Sequence, residues 1–203
     1  MIAVAAVRKL IHEAYAAGRR PRVHPNGFIQ LDLTADGWMH LHVWPDPPIN
    51  SAVLQKTRHT IHDHKFDMES TVLRGVLRNV TYEAVPFMAG SSGPAAYMLH
   101  RAYSNHVVGG TDTILKPDPG IYRLRELACE QVNEGATYRI PAYIFHDSIV
   151  FGCVVTLMTK TAVHPDYLPR IAVPLGVVPD NTFSRHTMSH EKLHEIILRS
   201  LYV

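Results

Sequence analysis

The sequence predicts a mainly β protein, a single domain over residues 1–203 with one helix at each end. Three observations carry that expectation. From Phe28 onward apolar and polar residues alternate with a period of two, the spacing of a strand with one buried face. Short alternating runs recur along the chain, punctuated by Gly, Pro and Asn, as in an antiparallel sandwich or barrel. Helical spacing is confined to the two ends.

In order, residues 3–17 place Val4, Val7, Leu10, Ile11 and Tyr15 on one helical stripe, and Gly18 is a natural stop, giving an N-terminal helix over 1–18. Residues 19–26 read as a basic linker containing Pro21. Phe28, Gln30 and Asp32 alternate with Ile29, Leu31 and Leu33, and Ala35-Asp36-Gly37 turns the chain into a strand over 38–44. Pro45-Asp46-Pro47-Pro48 ends that hairpin. Further strands are expected at 57–64, 69–74, 76–85, 95–103, 121–132, 136–140, 144–149 and 151–161. Residues 86–94 read as a rim loop, and 162–182, with four prolines, as an extended surface arm. A C-terminal helix is expected over 184–202, its apolar face Leu193, Ile196, Ile197 and Leu201 docking on the β core.

Composition excludes several classes. A net charge of +2 without a basic run gives no footprint for nucleic acid. No window reaches the length of an apolar membrane span, and the N-terminus lacks a signal-peptide layout, so a cytoplasmic protein is expected. Cys129 and Cys153 form neither a disulfide framework nor a zinc-type pair, and are expected as free thiols buried or half-buried in strands. Fourteen histidines are the compositional oddity, and histidine is the commonest metal ligand.

Chemistry concentrates in two stretches. Ile61-His62-Asp63-His64-Lys65-Phe66-Asp67-Met68-Glu69, with Gly75 beyond it, carries two imidazoles two residues apart, hence on one face of a strand, and a carboxylate after them. Gly135 to His146 is a Gly- and Pro-flanked strand followed by a lone histidine. Three imidazoles and a carboxylate converging in a barrel would suit a divalent transition metal.

These stretches resemble the paired motifs of the cupin superfamily. The first motif runs Gly, five residues, His-x-His, three or four residues, Glu, six residues, Gly. His62, His64 and Glu69 match it; Gly75 comes one residue early, and Lys56 stands at the upstream Gly. The second runs Gly, five residues, Pro-x-Gly, two residues, His, three residues, Asn. Gly135, Pro141 and His146 match, whereas Tyr143 replaces the inner Gly and Val150 the Asn. His62-Asp63-His64 with Leu73, Gly75 and Leu77 behind it also resembles cysteine dioxygenase and related thiol dioxygenases, which depart from Glu at the position of Glu69.

The resemblance, over 28–161, implies a double-stranded β-helix (jelly roll) with His62, His64, His146 and Glu69 as metal ligands. Fe(II) is the metal implied first, with Zn, Ni or Mn as alternatives. It further implies a dioxygenase acting on a small organic substrate. Two other outcomes share these ligands: an isomerase or lyase using the metal as Lewis acid, and a non-catalytic ligand-binding cupin. A homodimer is compatible with the exposed helix and arm. Glu69 could instead orient a water or act as a base, and Tyr143 could reach the pocket with its phenol. Arg74, Arg78, Tyr82, His100 and Arg101 are candidates for holding a carboxylate substrate, and Ser148 shares the inward face of His146 by alternation. Asp63 and Asp147, out of phase with their histidine neighbours, are expected to face away. His40-x-His42 is read as a structural or surface pair because no glutamate stands beyond it at the motif's spacing. The competing motif is His190-Glu191-Lys192-Leu193-His194, the H-E-x-x-H pattern of zinc hydrolases, which here leaves little chain for a third ligand.

Overall fold

A computed structural model describes residues 4–24, 26–49, 61–87, 96–107, 110–177, 182–183 and 188–202. The elements are α1 (Val4–Ala16), β1 (Arg22–Val23), β2 (Ile29–Asp32), β3 (Met39–Trp44), β4 (Phe66–Pro86), β5 (Tyr97–Val107), β6 (Gly110–Pro117), β7 (Tyr122–Asn133), β8 (Thr137–Ile140), β9 (Phe145–Val163), β10 (Arg170–Pro174), β11 (Thr182–Phe183) and α2 (His190–Tyr202). All the pairings described are antiparallel, in the order β1-β2-β3-β9-β4-β7-β5-β6-β11, with β10 beside β5 and β8 beside β4. The sheet curls into a half-barrel.

The curl has a local cause. The runs expected as separate strands on either side of Gly75 are one strand, β4, and those on either side of Val150 are one strand, β9. The two pair along their length, with register shifts around Arg74. Gly75 and Gly152 take φ of 82° and 73° there, bending the ladder where no L side chain sits comfortably. A Cβ on Gly75 would lie 2.4 Å from the Cys153 carbonyl oxygen. Gly75→Ala is therefore expected to destabilise by about 1–3 kcal/mol, read as a lowered denaturant midpoint at unchanged slope.

Side-chain alternation sorts two cores. Ile29 and Leu31 of β2, Leu41 and Val43 of β3, and Val155 and Leu157 of β9 point to one face, where Val7, Ile11 and Ala14 of α1 and Leu193, Ile196 and Ile197 of α2 cover them. Arg74 Nη1 of β4 donates to the Ser200 carbonyl at 2.8 Å, satisfying a C-terminal oxygen of α2. On the other face Met68 and Val72 of β4, Tyr138 and Ile140 of β8, and Val154 and Met158 of β9 form the core within the curl. Gly18, at φ 78°, ends α1 as expected.

Two expectations need correction. The arm over 162–182 is not merely an extended surface crossing: Arg170–Pro174 is a strand, β10, paired with β5. Residues 61–63, expected within a strand over 57–64, form a strap hydrogen-bonded on both sides. His62 N donates to His146 O at 3.1 Å and His146 N returns to His62 O at 2.9 Å, while Asp63 N donates to Arg170 O at 3.0 Å and Ala172 N to Ile61 O at 2.9 Å. The strap joins the start of β9 to β10. Residues 50–60 and 88–95, including most of the expected rim loop, lie outside the described residues, as do 184–187 at the expected start of the C-terminal helix. Both cysteines are free; Cys153 is half-buried as expected, but Cys129 is exposed. Among the described residues no helix is long and apolar enough to cross a membrane.

Candidate metal centre

The strap explains why the three histidines meet. His62 and His146 exchange both backbone hydrogen bonds, so they are directly opposed and their side chains leave on the same face. His64, two residues on, joins them, and Phe66 stacks on its ring at 4.6 Å between centroids. Ring centroids are separated by 4.5 Å for His62–His146, 4.7 Å for His62–His64 and 5.0 Å for His64–His146. One nitrogen from each lies within 4.8 Å of the others, a group able to hold a metal ion.

The donor set fits such an ion. His64 Nε2 and His146 Nε2 are 2.9 Å apart. Two imidazole nitrogens bound at about 2.1 Å and at right angles to one another would be about 3.0 Å apart. An Nε2–H···Nε2 hydrogen bond gives a similar distance, and metal uptake distinguishes the two. His146 is buried, and its Nδ1 has no partner among the described residues. Removal from water first, and neighbouring imidazoles second, hold the pKa of both His64 and His146 well below the usual value. Both rings are thus neutral at pH 7, with lone pairs available to a cation.

The triad borders a cavity of about 40 Å³ whose walls include Phe28, His42, Trp44, Met68, Tyr138, Asp147 and Ser148. Burial raises the pKa of the Tyr138 phenol. Asn26 Nδ2 approaches His62 Nδ1 to 2.9 Å. A larger cleft of about 540 Å³ also reaches His62 and His64 and carries Arg22, Gln30, His40, Lys160, Tyr167 and Arg170 on its walls.

The other sequence candidates scatter. Glu69 is not with the histidines: it lies directly across from Arg139 of β8 and accepts its guanidinium at 2.7 Å on the exposed side. The bulge at this point adds Thr161 to β9, leaving the alternation of β4 intact, so Met68 is buried in the inner core and Glu69 turns outward. Glu69→Gln should leave metal stoichiometry, measured by elemental analysis, as in the unaltered protein. Tyr143 takes φ 69°, a left-handed conformation that favours Gly. Its ring sits 42% exposed against Tyr167 and His164, away from the 40 Å³ cavity.

Arg74 serves α2, Arg78 lies over the Phe151 ring, and Arg101 pairs with Asp118. Tyr82 packs beside Leu99 and Phe145, its phenol pushed up to about 12 by burial and by the nearby carboxylates of Asp147 and Glu126. His100 is buried on β5 and does not line the cavity. Ser148 does line it. Asp147, expected to face away, lines it as well.

Two further corrections concern Asp63 and the pair on β3. Asp63, expected at solvent or in a turn, is 1% exposed and bonded to Tyr167 and Arg170. The strap has β9 on one side and β10 on the other, so a residue out of phase with the histidines meets Tyr167 and Arg170 rather than solvent. His40 and His42 are interior as well. Asp32 lies 2.6 Å from His40 Nδ1, and His42 faces the cavity. Alternation on β2 and β3 holds the signal for this, since Leu41 and Val43 must face the helices. The H-E-x-x-H motif forms no site: His190 Nδ1 bonds the Pro21 carbonyl at 3.2 Å, and the His194 ring packs edge-on against Tyr15 at 4.0 Å. No family model matches the chain, and no match was found among curated proteins.

Proposed function

We propose that this protein is a metal-dependent enzyme of cupin type, a jelly roll in which His62, His64 and His146 hold Fe(II) for dioxygenation of a small organic substrate. The observation that carries this is the convergence of three imidazoles, two of them held neutral, at the wall of a cavity. Three ligands on one side of an ion leave adjacent positions open, where substrate and O2 can bind side by side. With Glu69 paired to Arg139 the donors are all nitrogen. The loss of a carboxylate ligand removes the feature that set the chain apart from thiol dioxygenases, and it favours a thiol among candidate substrates.

The same all-imidazole set supports a second reading. Three histidines with an open fourth position also suit zinc, which would act as a Lewis acid on substrate or water without oxygen chemistry. Anaerobic loading with Fe(II), followed by oxygen-uptake assays across thiols, diketones and catechols, separates the two. Uptake with one of these classes is expected; full iron occupancy with none would overturn the dioxygenase reading, and oxygen-independent turnover with Zn or Ni would favour the other.

A further inference from the structure

We propose that His42 is a hydrogen-bond donor to the small anion or oxygen-bearing group that binds at the triad. This deepens the metal reading above and rests on it.

Placement comes first. On β3, Leu41 and Val43 are committed to the helices, which turns His42 and Trp44 to the inner face. His42 thereby borders the 40 Å³ cavity shared by His62, His64 and His146. It is not, however, one of the imidazoles whose nitrogens lie within 4.8 Å of one another. It is placed to meet a bound group rather than to serve as a fourth ligand.

The ring is also held in position. Phe28 lies 4.5 Å from it and Trp44 stands edge-on at 6.1 Å. His40, its neighbour in the pair, is occupied by Asp32 at 2.6 Å and Gln30 at 3.0 Å. His42 has no hydrogen-bond partner among the described residues. Loss of water keeps it neutral, so one nitrogen carries a proton to donate.

The wall offers few other donors: Phe28 and Met68 carry none and Asn26 is at His62, which leaves the Trp44 indole, the Tyr138 phenol and the Ser148 hydroxyl beside His42. A cavity of about 40 Å³ has room for about three water-sized occupants, enough for an ion and a small bound group. His42 also borders the larger cleft that reaches His62 and His64, so a small group entering from that side would meet its N–H beside the triad.

The test uses the full chain loaded with Co(II), with azide as the probe and the visible spectrum as readout. His42→Phe should keep one Co(II) per chain while binding azide about tenfold more weakly or worse. His42→Gln, which restores a donor on a less bulky side chain and guards against misfolding of the first variant, should recover most of that loss. Unchanged azide affinity in a Co(II)-replete His42→Phe protein would overturn the role of His42 alone. Loss of Co(II) from folded His42→Phe or His42→Gln would make it a ligand and equally overturn the proposal. Unaltered protein that takes up no Co(II) would remove the metal reading itself.

Discussion

Protein with His146 replaced by alanine is expected to emerge without its metal, while the unaltered chain carries about one divalent ion. The expectation follows from how the site is built. His62 and His146 are opposed across one hydrogen-bonded pair, and His64 is fixed by stacking on Phe66, so none of the three can swing in to replace another. Loss of an outer-shell partner alone typically costs 10–100-fold in metal affinity, and loss of one of three ligands should cost more, leaving less than about a tenth of the sites filled. His62→Ala and His64→Ala should do the same. An ion bound only to the folded chain adds about 2.7 kcal/mol when free metal is a hundredfold above Kd. Added metal should therefore raise the melting temperature of the parent and not of these variants. Equal metal content in parent and His146→Ala would defeat the assignment.

The same burial sets a direction with pH. His42, His64 and His146 have folded pKa values below the unfolded value near 6.5, so below that pH the unfolded metal-free chain binds more protons than the folded one. Their contribution to stability is fully present above about pH 6.5 and is lost as pH falls below it. Denaturant midpoints of the metal-free protein, measured across this range, should decline towards acid.

The clustering of the three histidines was legible because two independent patterns point to it, the i, i+2 pair and the Gly-Pro-His block. Glu69 stands apart from them for a reason visible in the register. Five residues separate it from His64, an odd number, and the nearby bulge falls on β9 rather than on β4. The end helices were legible because their apolar stripes are long; the continuity of β4 through Gly75 and of β9 through Val150 and Gly152 was not, since a glycine can end a strand or bend it. β10 was hidden by its prolines: Pro169 precedes the strand and Pro174 is its last residue, so neither interrupts it. His42 was passed over because no glutamate stands beyond the second His-x-His at the metal-motif spacing. Its significance lies instead in which face of β3 the helices leave open.

Asp63→Ala is expected to cost about 3–5 kcal/mol of stability, the range for removing one partner of a buried ion pair. Asp63 accepts the Arg170 backbone N–H at 2.6 Å and the guanidinium at 2.8–2.9 Å, as well as the Tyr167 hydroxyl. Burial drives its carboxyl pKa upward, and the bonds from Tyr167 and Arg170 reverse that only in part. Ionised Asp63 is thus no strong source of net stability; it fixes the strap against β10, and its removal strands Arg170. Asp63→Ala combined with Arg170→Met should recover part of the loss, because no charge is then left unpaired. Metal retention should fall as well, since the strap carries His62 and its neighbour His64. Arg139→Ala, which breaks an exposed pair at Glu69, supplies the contrast: it should change stability by less than about 1 kcal/mol and leave metal bound. Denaturant unfolding of the four proteins, with metal measured on each, decides the matter. A loss below about 1 kcal/mol in Asp63→Ala would mean that the strap is held by its backbone hydrogen bonds alone.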